Sequence, residues 1–101
     1  MITVRITVIR KAEYPDLIKE YELPTVEPCP LKVGDVFYYD GDGIPEGFCP
    51  NAYETLAPYI EALYQGQRKL YGDWMKDEGS ALLCCNDGFR PVSFLLEAIE
   101  E

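Results

Sequence analysis

The first eleven residues, MITVRITVIRK, constrain the fold more than any other stretch. Ile2, Val4, Ile6 and Val8 alternate with Thr3, Arg5 and Thr7, the period-2 pattern of a strand with one face in a core and the other toward water. An antiparallel sheet with one covered face accommodates such alternation, so another part of the chain must provide the cover. Residues 51–64 supply it. There Tyr53, Leu56, Ile60, Leu63 and Tyr64 fall at i, i+3, i+7, i+10 and i+11, a single apolar stripe along a helix, and Gly66 marks its end. Pro58 inside this run is expected to kink the helix or split it into two pieces.

Shorter signals complete the pattern. Pro15 and Asp16 open a helical turn with Leu17, Ile18 and Tyr21 as its apolar anchors, ended before Pro24. Pro24, Pro28 and Pro30 remove too many amide donors for a central strand, which places Cys29 in an extended loop. Residues 36–39, VFYY, read as a short strand, followed by a turn region with Gly41, Gly43 and Gly47. Residues 81–85 and 91–99 read as two strands around Asn86-Asp87-Gly88, a hairpin signal in which Gly88 is expected to take positive φ. Pro91 predicts that the second of these begins at a sheet edge. Residues 65–79 read as a surface loop whose Leu70, Tyr71, Trp74 and Met75 fold back onto the body. The expectation is a single α+β domain over residues 1–101, an antiparallel sheet of about four strands packed against one main helix. At 101 residues and 48% hydrophobic composition, such a domain can hold a core without disulfides.

Eighteen acidic against nine basic side chains give a net charge of -9, which repels phosphate backbones and anionic bilayers. Nucleic acid and membranes are therefore poor partners. Another protein, or a second copy in a homo-oligomer, is compatible with the composition. No stretch approaches about 18 consecutive apolar residues, and the alternating start is unlike a leader peptide, so a cytoplasmic protein is expected. In that reducing setting the four cysteines, Cys29, Cys49, Cys84 and Cys85, are expected to be thiols or thiolates. The chain has no histidine. That absence excludes Ser/His and Cys/His nucleophile systems and every imidazole metal ligand.

Cys84 and Cys85 are adjacent, and strand side chains alternate faces, so only one of the two can look toward a given site while the strand stays regular. A four-thiolate site would need a bulge there; a three-thiolate site would not. Cys29 and Cys49 lie in loops that can present a ligand. A helix starting at Pro50 would give Cys49 amide donors and a positive dipole end, whereas an Asn51–Glu54 capping box would push it out of the first turn. Thiolate softness points to zinc or an iron-sulfur cluster if metal binds. Asp87 is the natural oxygen ligand beside Cys85, although an Asp in such a turn commonly bonds local amides, and Asp35 has the same local explanation. Arg90 near Asp87, with Phe48, Phe89 and Trp74, could line a small pocket for an acidic or planar ligand, or be core residues and a hairpin ion pair. The GDGIPEG stretch lacks the lysine and spacing of a phosphate loop.

The motifs CP-x-KVGD, PEGFCP-x-A, WMK-x-x-G and CC-x-DG-x-RPV-x-F together resemble those of a family of small bacterial and archaeal proteins of unknown function. The resemblance runs the length of the chain. It gives Cys29, Cys49, Cys84, Cys85, Asp87, Gly88, Arg90 and Pro91 as matching positions and implies that the thiols act together, and it carries no activity. Tyr53 stands where members of that family often have Trp, and the connection GQRKLYGDW differs from theirs in length. Two functions follow from the residues: a cysteine-centred site, metal-binding or thiol redox, or a binding or assembly module whose cysteines are inert core.

Overall fold

The computed structural model describes residues 1–70 and 74–100; Tyr71 lies outside them. Four strands form one sheet: β1 (Ile2–Lys11), β2 (Val36–Tyr39), β3 (Ser80–Cys84) and β4 (Val92–Glu100), in the order β2-β1-β4-β3. Every neighbouring pair is antiparallel. The alternation in the first strand sets the register. Val4, Ile6 and Val8 stand opposite Ala98, Leu96 and Phe94 of β4, so the apolar sets of the two central strands fall on one face. Phe37 and Tyr39 of β2, with Ala81 and Leu83 of β3, extend that face to both edges. A bulge between Val8 and Arg10 ends the regular part of β1.

Helix α2 (Pro50–Tyr64) covers this face, packing on β1, β3 and β4. Its buried residues are Ala52, Leu56, Ile60 and Leu63, the i, i+4, i+8, i+11 stripe that a core-facing helix requires. Burial of each large member stabilises the fold by about 1.5–3 kcal/mol before entropy is counted. Tyr53 and Tyr64 flank the stripe and pack against the core's rim. Two tyrosines fasten the far end of the helix to β2: the Tyr39 hydroxyl donates to Glu61 Oε2 at 2.6 Å, and the Tyr64 hydroxyl donates to the Asp40 carbonyl at 3.0 Å. The expected α+β architecture is the one observed. No helix among the described residues is long and apolar enough to cross a membrane.

Several local expectations are corrected. The helix is not split at Pro58 but continues across it; the carbonyl that loses its donor belongs to Glu54, and both residues are exposed, where water can replace the missing bond. Pro91 does not mark an edge: it lies one residue ahead of β4, an inner strand, and its carbonyl accepts from the Ala12 amide. Gly88 is not among the positive-φ glycines. The ladder closes at Cys85 N–H to the Val92 carbonyl, 3.0 Å, leaving a wide loop rather than a two-residue turn, with no need of left-handed backbone at Gly88.

The short helix α1 (Pro15–Tyr21) forms with Pro15 in its first turn, but buries no residue. Tyr21 is 72% exposed and Leu17 sits at the surface, so neither anchors it. Of the loop aromatics and aliphatics, Leu70 is buried while Trp74 is 82% exposed and does not fold back. Phe48, by contrast, is core: its ring meets Phe37 edge-on at 5.0 Å and Phe94 at 5.3 Å.

Candidate functional site

Three loops meet where α2 begins, and each carries a cysteine. Cys29 is held in its proline-rich loop from two sides: Lys11 Nζ donates to its carbonyl at 3.0 Å, and Leu31, two residues on, is buried in the core. Cys49 is fixed by its neighbours. Phe48 ahead of it is buried, the Phe48 amide donates to the Pro45 carbonyl, and the Cys49 carbonyl accepts the first helical bond from Tyr53 at 2.9 Å. Cys49 is therefore the N-cap of α2, with Pro50 next. The Asn51–Glu54 capping box does not form. The Cys49 sulfur makes no capping hydrogen bond either, so the amide donors expected for it are present nearby without being bonded to it.

Cys85 sits just past the end of β3, where its sulfur accepts from the Val92 N–H at 3.3 Å. Together with the ladder bond from its own amide, this fixes the side chain toward the helix side of the sheet. Cys84, one residue earlier, is exposed; strand alternation turns it to the opposite face with Leu82. The structure thus brings Cys29, Cys49 and Cys85 onto one pocket of about 180 Å³ and leaves Cys84 outside it. All three pocket cysteines are partly buried, and none is in a disulfide.

The pocket floor is apolar, formed by Leu31, Ala52, Val92 and Phe94. Its rim is polar: Glu27, Asn51, Asn86, Asp87 and Arg90. Asp87 lies there, but its Oδ1 accepts the amides of Phe89 at 2.8 Å and Arg90 at 3.2 Å, the local turn role anticipated for it. Asp35 behaves in the same way, accepting from the Lys32 amide at 2.9 Å. Arg90 does not form an ion pair with Asp87. Its guanidinium pairs instead with Glu22, whose side chain is only 7% exposed, and with Glu13. This pairing ties the pocket rim to the residues on either side of α1, as do the hydrogen bonds from Tyr14 N–H to the Phe89 carbonyl and from Ala12 N–H to the Pro91 carbonyl. Phe48, Phe89 and Trp74 are not on the pocket wall; the aromatic there is Phe94.

Zinc or an iron-sulfur cluster needs thiolates gathered around one point, with metal–sulfur distances near ~2.3 Å. Among the described residues no three Cys, Asp or Glu side chains are grouped so as to hold a metal ion. The sulfurs share a cavity without forming a coordination shell. What the arrangement offers chemically is a set of soft nucleophiles around a small, mostly apolar space.

Phe94 and Ala52 were the pocket residues most open to recognition from sequence, since strand alternation from Val92 and the helical stripe through Leu56 both turn them inward. Glu27 and Asn86 carry no such signal. Comparison of the chain with protein-family models, with curated proteins and with solved structures returned no match.

Proposed function

We propose that the pocket at the head of α2 is the functional site and that it works by thiol chemistry, through Cys29, Cys49 and Cys85. The observation that carries this reading is the convergence of three loops, distant in sequence, that place three cysteines on one pocket. Inert thiols would more often be scattered singly through a core as small hydrophobes. The reaction class is thiol–disulfide exchange. One pocket thiolate attacks a sulfur of an external disulfide, forming a mixed disulfide and expelling a thiolate; a second pocket thiolate then attacks the protein-side sulfur and expels the other half. Two protein thiols are oxidised to one disulfide, and one external disulfide is reduced to two thiols. The apolar floor suits a small, uncharged disulfide.

Coordination of a soft metal is the second reading, favoured by the number of thiols facing one space. It requires them to draw together on binding. The test is incubation of the anaerobically purified protein with hydroxyethyl disulfide, followed by mass analysis of each cysteine, alongside zinc and iron assays. Formation of an internal disulfide among Cys29, Cys49 and Cys85, lost in the Cys→Ser variants, supports exchange. Near-stoichiometric zinc or iron, lost in those variants, would replace it with metal binding. Thiols that react only after denaturation, in protein without metal, would leave an assembly module with inert cysteines.

A further inference from the structure

The face of the sheet turned away from α2 is not the polar surface that alternation would give it. Its strands present Val36, Tyr38 and Leu82, which are 43%, 57% and 52% exposed, beside the half-buried Leu95 and Ile99. Among the described elements, α2 alone packs as a helix on the sheet. We propose that this face is a self-association surface, and that its occupant is a second copy of the chain in a symmetric dimer.

The register supplies the complementarity. Tyr38, Arg5 and Glu97 lie in one row across the sheet, and Val36, Thr7, Leu95 and Leu82 lie in the next. Arg5 and Glu97 pair within the chain at 3.1 Å and keep 39% and 32% of their side-chain surface exposed. Consider a two-fold axis lying in the interface along the strands, between β1 and β4. It sets β1 over β4 of the second copy and β2 over its β3, an isologous contact. Arg5 then stands over Glu97 of the second copy and Glu97 over its Arg5, while Val36 meets Leu82 and Thr7 meets Leu95. Each of these two central charges then faces its opposite twice, once within its own chain and once across the interface, and the apolar row meets itself.

Charge does not oppose association through these two rows. The whole chain carries -9, so two copies repel, yet the charged side chains of these two rows are one Arg and one Glu and cancel. Aligned sheets pack face to face at about 30°. Strands of ten, four, five and nine residues, about 4.8 Å apart and rising about 3.4 Å per residue, present roughly 450 Å² per copy. The total of about 900 Å² lies below the size of a stable specific interface and fits a weak, transient dimer rather than an obligate one.

The test is sedimentation of the full chain from about 10 μM to about 1 mM, a range that covers weak, transient association. A reversible monomer–dimer equilibrium is expected; a monomer throughout overturns the proposal. Arg5→Glu and Glu97→Arg should each weaken the dimer at least about tenfold by setting like charges face to face. Mixed in equal amounts, the two variants should associate again, because each copy then presents the charges its partner lacks. No recovery on mixing overturns the proposal. Tyr38→Glu, at an exposed position outside the Arg5–Glu97 pair, should weaken the dimer to a similar degree with unchanged circular dichroism; it decides the matter if either charge variant fails to fold. A dimer indifferent to Tyr38→Glu uses another surface, and the proposal fails.

Discussion

Leu56→Ala removes a side chain that is 1% exposed at the centre of the α2–sheet contact. Three carbons leave the core, a transfer loss of about 2.4 kcal/mol at roughly 0.8 kcal/mol per methylene. Helix and sheet are both anchored elsewhere, α2 by Ile60, Leu63 and the two tyrosine bonds, so the site closes only partly. A residual void of about 40 Å³ adds about 1 kcal/mol. The small gain in helix propensity offsets a few tenths. The sum is about 3 kcal/mol. With an unfolding entropy of about 0.2 kcal/mol per kelvin for a chain of this size, the melting temperature should fall by about 15 °C. Urea titration followed by circular dichroism should show a lower midpoint with an unchanged m-value. Leu23→Ala, at a position 71% exposed, is the control and should change stability by no more than about 0.5 kcal/mol. A Leu56→Ala loss below about 1 kcal/mol, or one equal to the control, would refute the packing of α2 described above.

The Tyr39–Glu61 bond makes stability pH-dependent at both ends. The Tyr39 hydroxyl, then the Gln65 amide, hold the Glu61 carboxyl below its usual 4.5, so this contribution is present above that value and is lost as pH falls through the lowered one. The hydrogen bond to Glu61, then burial, push the Tyr39 phenol well above its usual 10.0; its contribution holds below 10.0 and is lost as pH rises beyond. Tyr39→Phe should therefore flatten both limbs of a stability–pH curve, and unchanged limbs would exclude the bond. Gly41 has φ +94°, and a Cβ there would stand 2.5 Å from the Tyr64 hydroxyl. Gly41→Ala should cost about 1–3 kcal/mol in urea titrations, from left-handed backbone and displacement of Tyr64, and less in a Tyr64→Ala background, which removes the hydroxyl and ring atoms that crowd the new Cβ. Additive losses would show that the two do not touch.

Strand alternation and the helical stripe were legible because they follow from periods of 2 and 3.6 residues acting on side chains that must leave water. Val4, Ile6 and Val8 could face only one way, although alternation alone does not say which strand they pair with. The alternation also separated Cys84 from Cys85. What was not legible depended on neighbours in space. Pro91 reads as an edge residue until β1, from the other end of the chain, pairs with β4 and makes it central. Arg90 reads as a partner for Asp87 until α1 brings Glu22 beneath it. Trp74 reads as core by composition alone, yet no periodic pattern tied it to the sheet. The pocket itself was only half legible: loops proposed for Cys29 and Cys49 were right in kind, but their meeting at α2 depends on Leu31 and Phe48 entering the core, which no spacing in the sequence specifies.

The central claim is that the sulfurs of Cys29, Cys49 and Cys85 share one space in the native protein. A trivalent arsenical, phenylarsine oxide, bonds two thiols at once with release of water, and so reports their proximity. In a Cys84→Ser chain, which removes the adjacent pair, one equivalent added to native protein should mask two of the three remaining thiols when they are counted after denaturation, and intact mass should show a single bridged adduct. All three thiols still free after native treatment, or a bridge that forms only once the chain is unfolded, would contradict it.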